Sequence, residues 1–343
     1  MDSEPMSSQK VMRYYLRPEI LEKLFSLSAG REVVPIYAAR GFGSRPSIVQ
    51  FPGDLEHMIR RGATSFHCSI EHWKNPLVLA NNLKKQEMNA LRSGWDLVLD
   101  LDSKMDLVPA KIAADLVVRA LNEHGINTVS VKFSGRRGFH IGVRMECMPK
   151  NINNISLAAS YPDTLQKIAH YIKQNIKDKL LEELLTFNKE LEEKLKGDPY
   201  EAVEIEENWS NRHLFRMPYS FNEKTWLVSV PVDLQKIREF DPENARPEKV
   251  LGNAGFLDSF EEGSAETLVA NALEYRDVKP VEKKKGYEKV AAHLLDGHGV
   301  VQMVKRKATN TEMHKSYSRL TAEELEGEVA SFKKTDFSPA RIG

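Results

Sequence analysis

Apolar and polar positions alternate most cleanly between residues 96 and 145, and the pattern predicts a compact α/β unit. Residues 96–101 are an apolar run that reads as a buried strand. Residues 108–124 repeat apolar side chains at helical spacing, with Ile112, Leu116, Val117, Ala120 and Leu121 on one side and Gly125 as the stop. Residues 128–133 read as a second strand, 134–138 as a basic turn and 139–145 as a third strand that closes a hairpin. Strand, helix, strand, turn and strand in that order predict a mixed α+β sheet.

Around this unit the pattern is looser. Residues 18–28 predict a helix with Pro18 at its first turn. Short strands are expected at 47–51 and 63–70, with a helix at 54–61 between them. Residues 161–196 carry Leu165, Ile168, Ile172, Ile176, Leu180, Leu184, Leu191 and Leu195 at helical spacing. Their second half is crowded with Glu and Lys, so an inserted helical arm is expected at about 161–197. Residues 201–234 return to strand-like sequence. The expected organisation is a disordered segment at 1–10, a main domain at 11–280 and a charged, flexible extension at 281–343.

Composition narrows the class. The chain has 343 residues, 41% of them hydrophobic, enough for a sizeable core. It has no apolar run of membrane-spanning length, so no contact with a membrane is expected. Two cysteines, Cys68 and Cys147, exclude a disulfide framework and a four-cysteine zinc site. A reducing, intracellular setting follows. Zero net charge provides no global attraction to nucleic acid, although residues 279–319 form a locally basic stretch.

Three segments carry chemistry. Asp100-Leu101-Asp102 ends the first strand, and side chains at i and i+2 share a face. Two carboxylates held together repel unless a hard divalent cation lies between them. The turn Ser134-Gly135-Arg136-Arg137-Gly138 leads into Phe139-His140 and offers guanidinium forks, a hydroxyl and turn amides to phosphate oxygens. The third segment repeats the carboxylate pattern at Glu204-Ile205-Glu206, then supplies His213, Arg216 and Lys224 beside a turn. Anionic groups for a metal and cationic groups for a phosphate tail are what a metal-bound triphosphate needs.

These segments, in this order, resemble the catalytic small subunit of archaeal and eukaryotic DNA primases. The resemblance rests on Asp100-Leu101-Asp102, on residues 134–140 and on His213-Leu214-Phe215-Arg216-Met217-Pro218-Tyr219-Ser220 with its continuation to Asp233. Arg40-Gly41-Phe42-Gly43 upstream agrees with it. The resemblance implies a primase catalytic core with an RRM-like sheet, and a two-metal nucleotidyltransferase using Mg2+ or Mn2+. Asp100, Asp102 and Glu204 inherit the metal-binding role. Ser134, Arg136, Arg137 and His140 inherit triphosphate contacts, Arg40 an upstream one, and His213 and Arg216 further phosphate or sugar contacts; Asn222 and Lys224 complete the nucleotide-binding set. It further implies nucleoside triphosphate substrates, a single-stranded DNA template, a separate large subunit and a primosome in the cytoplasm or nucleoid of an archaeon-like cell.

The sequence departs from that pattern in three places. Glu204 stands where Asp is usual, and Asn222 where His is common. No zinc knuckle is expected, because the interval between Asp102 and Ser134 holds no cysteine. The residues leave three alternatives open. These are a repair or translesion polymerase that extends but does not initiate, a metal-dependent glycosyltransferase, and a degenerate nucleotide-binding subunit.

Overall fold

A computed structural model describes residues 5–37, 40–80, 82–152 and 154–277. Contacts divide the chain into two units, Met1–Tyr275 and Arg276–Gly343, and the elements below belong to the first. The extension expected at 281–343 lies outside the described residues. No described helix is long and apolar enough to cross a membrane.

The core is a mixed α+β layer. Its strands run in chain order Leu97–Ser103, Ser130–Phe133, Gly138–Val143, Val203–Ile205 and Pro231–Val232. Among the described residues they form a five-stranded antiparallel sheet in which the fourth strand lies beside the first, the first beside the third and the third beside the second. Helix Val108–Glu123 joins the first strand to the second, and helix Asp163–Phe187 lies between the third and the fourth. This βαββαβ order is the RRM-like arrangement.

Alternation splits the sheet into two unlike faces. Leu99 faces Ile141, and Leu101 faces Phe139 and Ile205, all buried. On the other face Asp100 is paired with His140 and Asp102 with Glu204. Helix Val108–Glu123 begins with Pro109 in its first turn, buries Ile112, Leu116, Val117 and Leu121, and is followed by Gly125 at φ +89.

The helical arm expected at 161–197 takes a different form. Helix Asp163–Phe187 buries Leu165, Ile168, Ile172, Ile176, Leu180 and Leu184 and packs along helix Val108–Glu123. It is the second crossover helix of the sheet, and its Glu and Lys residues are its outer face. Asn188 breaks it with extended backbone and caps the short turn Lys189–Leu191.

A second antiparallel sheet orders Leu214–Arg216, Ser65–Ser69, Val33–Tyr37 and Gly41–Phe42. The strand expected at 47–51 does not form. That stretch is tied by the Val33 amide to the Ser47 carbonyl (2.8 Å), while the Gln50 and Phe51 amides donate to Asp54 at the start of helix Pro52–Arg60. The helix Ser8–Tyr15 begins inside the segment expected to be disordered. Ser7 caps it, and fully buried Tyr15 donates its hydroxyl to the Thr64 carbonyl at 2.9 Å.

Candidate active site

The polar face of the main sheet carries two rows. In the first, Glu204 faces Asp102, and Asp102 faces Gly138. A Cβ on Gly138 would lie 2.0 Å from the Leu101 carbonyl oxygen, so only glycine lets the hairpin strand come this close. In the second row Asp100 faces His140, and His140 faces Lys132. The Glu206 amide donates to the Asp100 carbonyl at 3.0 Å, which continues the ladder and sets Glu206 beside Asp100.

Asp100 is half-buried, and its Oδ1 lies 3.4 Å from His140 Nε2. Burial pushes its carboxyl up to about 7. Lys132 opposes that shift, and the charges of Asp102, Glu206 and Glu204 add to it. His140 is itself buried, and its Nδ1 has no hydrogen-bond partner among the described residues. Burial first, then the charges of Lys132 and Arg216 with smaller contributions from His67 and His213, hold it neutral well below the usual histidine range. Arg216 of the smaller sheet thus acts on the same histidine as Lys132 of the main sheet.

Lys132 is fully buried. Its Nζ donates to Ser229 Oγ at 2.9 Å and sits over the rings of Phe215 (5.8 Å) and Phe256 (5.5 Å). Burial lowers its ammonium to about 7, with Asp100 pulling the other way.

The basic hairpin is closed by the Ser134 amide on the Gly138 carbonyl (2.9 Å). Arg137 reaches back to Asp102, Nη2 to Oδ2, at 3.5 Å. Ser134 and Arg136 are half-buried on the same turn. Gly135 holds φ +99 with Asn222 against it, and Thr225 Oγ1 donates to the Gly135 carbonyl at 2.6 Å. The 222–225 turn is thus docked on the hairpin. Within it the Asn222 side chain accepts the Lys224 amide at 3.1 Å, and the Lys224 side chain is exposed.

Arg216 lies on the smaller sheet, paired in register with His67. His213 is half-buried, edge-on to Trp209 with ring centroids 4.4 Å apart. Arg40 is exposed and stacks on Tyr37; among the described residues no contact joins it to the carboxylate rows.

Asp100, Asp102, Glu204 and Glu206 offer carboxylate oxygens, the donors a hard divalent cation prefers, although His140 and Lys132 share their face. Among the described residues no three His, Cys, Asp or Glu groups are gathered tightly enough to chelate one ion as they stand. The rows put Asp100, Asp102 and Glu204 on one face, with Glu206 beside them.

Residues 99–234 match the DNA primase small subunit family.

The match spans the aspartate strand, the basic hairpin, the glutamate strand and the 213–224 segment, and leaves Arg40 outside. The primase-family segment thus contains both polar rows. The chain is also 26% identical over 233 residues to the uncharacterized protein MJECS07 of Methanocaldococcus jannaschii. That alignment covers 66% of this chain and 48% of the relative, so the chain spans about half the relative's length. Among solved structures it is similar to the polymerase domain of Mycobacterium tuberculosis ligase D in complex with DNA. That likeness has a TM-score of 0.45 at 15% identity and covers 78% of this chain and 89% of the other.

Sequence reasoning passed over two residues of the site, Lys132 and Glu223, and noted Glu206 only as a repeat of the Asp100/Asp102 spacing, without a role. Lys132 sits between Val131 and Phe133, where alternation already assigns it to the face of His140. Glu223, which pairs with Arg216, gives no signal of its own.

Proposed function

We propose that this chain is a primase-type nucleotidyltransferase that builds short RNA or mixed RNA/DNA primers from nucleoside triphosphates on single-stranded DNA. The observation that carries the reading is the shared sheet face of Asp100, Asp102 and Glu204, with the Arg137 hairpin closing onto Asp102. In the reaction a 3′-hydroxyl attacks the α-phosphorus of the incoming nucleotide. The bond to the β-phosphate breaks and pyrophosphate leaves.

Asp100, Asp102 and Glu204 would hold two Mg2+ or Mn2+ ions, which when bound make the hydroxyl more acidic and neutralise the leaving phosphates. The chain's own groups do the rest. Arg136, Arg137 and Arg216 bind the triphosphate oxygens and spread their charge over the guanidinium forks. Ser134 and the turn amides add donors. His140, kept neutral by burial and by the charges of Lys132 and Arg216, orients the Asp100 carboxyl without competing for it as a full charge. Asn222 braces the hairpin through Gly135, and Lys224 offers a solvent-facing cation to the outer phosphate. His213 lines the same side from the smaller sheet, and Arg40 is an outlying phosphate contact. A separate large subunit is the expected partner in primer initiation.

The test is incubation with a single-stranded template, all four nucleoside triphosphates and Mn2+, with no primer. New dinucleotides and short oligomers support the proposal. Extension of an added primer without any new starts assigns the chain to a repair or translesion polymerase instead.

A further inference from the structure

Glu223 has no role in the chemistry above, yet it is the anchored partner of Arg216. Its Oε2 accepts from Arg216 Nη1 at 3.2 Å. Its other oxygen, Oε1, accepts from Thr64 Oγ1 at 3.2 Å and from Ser65 Oγ. The two hydroxyls sit at the head of strand Ser65–Ser69, beside the strand that carries Arg216. The carboxylate is therefore fastened at one end to the smaller sheet and at the other to the guanidinium.

The arginine is held a second time, by a bond from the same Nη1 to the Phe221 carbonyl. Both bonds use Nη1, so the guanidinium is pinned at one corner. Glu223 also belongs to the turn docked on the hairpin, where Asn222 abuts Gly135 and Thr225 binds its carbonyl. One side chain thus couples the smaller sheet, the Arg216 fork and the turn that braces Arg136 and Arg137. An arginine fork recognises phosphate through geometry as well as charge, and a long side chain left loose loses rotamer freedom on binding.

We propose that Glu223 is a positioning residue for nucleotide binding: it holds Arg216 in the orientation that receives the triphosphate and locks the 222–225 turn to the smaller sheet. This rests on the nucleotidyltransferase reading. Glu223 acts through Arg216 and does not touch the reacting atoms.

The experiment is a double-mutant cycle on the full chain. Glu223→Gln, Glu223→Asp, Arg216→Lys and the Glu223→Gln/Arg216→Lys pair are compared for binding of Mn2+–ATP by calorimetry and for KM and kcat in primer synthesis. Glu223→Gln is expected to weaken nucleotide binding and raise KM by roughly tenfold with kcat nearly unchanged. Glu223→Asp should recover part of that loss. In the Arg216→Lys background the Glu223→Gln change should add little, because the two residues act as one unit. An unchanged KM, or losses that simply multiply, overturns the proposal. Tighter nucleotide binding by Glu223→Gln also overturns it, since the carboxylate would then be a stand-in for phosphate. If the wild-type chain binds no nucleotide, the functional reading fails first, which is a distinct outcome.

Discussion

Asp100 and His140 face each other across adjacent antiparallel strands, with Oδ1 of the first 3.4 Å from Nε2 of the second. The carboxylate belongs to an acidic face and the imidazole to a hairpin rich in arginine. Their pairing ties the two halves of the site to one hydrogen-bonded ladder.

A pH dependence follows from the Asp100 carboxyl, which burial and its acidic neighbours push from 3.8 up to about 7. A cation must displace that proton, so Mn2+ affinity rises as pH climbs through about 7 and falls below it. The metal-free protein behaves oppositely. Its folded pKa is raised, so the stability contributed by protonated Asp100 is full below 3.8 and is lost as pH rises through about 7. Calorimetric Mn2+ titrations and metal-free melting curves at pH 5.5, 6.5, 7.5 and 8.5 check both signs.

Lys132→Met separates fold from chemistry. The ammonium is buried with Ser229 as its hydrogen-bond partner and two aromatic faces, and methionine has similar bulk. Melting temperature is expected to hold or rise, because an apolar group replaces a buried charge. The pH midpoint for Mn2+ binding is expected to move upward, because the cation that opposes the Asp100 shift is gone.

Gly138→Ala tests the close approach behind Asp102. The added methyl meets backbone at 2.0 Å, which no side-chain rearrangement relieves. A loss of roughly 2–4 kcal/mol is expected from denaturant melts. Gly53→Ala, where nothing lies within 4 Å, serves as the control and is expected to be nearly silent.

Much of this architecture was legible because it is local. The strand–helix–hairpin pattern, the Asp100/Asp102 spacing and the basic turn each lie within a few residues of their own signal. What the sequence hid depends on distant partners. Alternation puts Lys132 on the face of His140, but its burial under Phe215 and Phe256 depends on distant segments. The apolar stripe of helix Asp163–Phe187 is legible, but its packing on helix Val108–Glu123 is not, so the segment reads only as an inserted arm. Residues 47–51 have strand-like composition, yet their neighbours supply no ladder. The facing of Glu204 and Asp102 is a register between segments a hundred residues apart, and no local pattern encodes it.

Asp96 anchors the entry to the aspartate strand. Fully buried, it accepts from Arg31, from His72 Nε2 at 2.9 Å and from the Met145 amide at 2.7 Å. Asp96→Ala leaves Arg31 as an uncompensated buried charge and is expected to cost about 3–5 kcal/mol. Urea unfolding of the variant measures it.

The most direct test of the central claim is Mn2+ binding followed by electron paramagnetic resonance in the wild type, Asp102→Asn and Glu204→Gln, with melting temperatures taken alongside. The three-carboxylate site predicts that the wild type sequesters manganese and that each substitution weakens this at least about tenfold while melting stays unchanged. Wild-type manganese binding in both variants would contradict it.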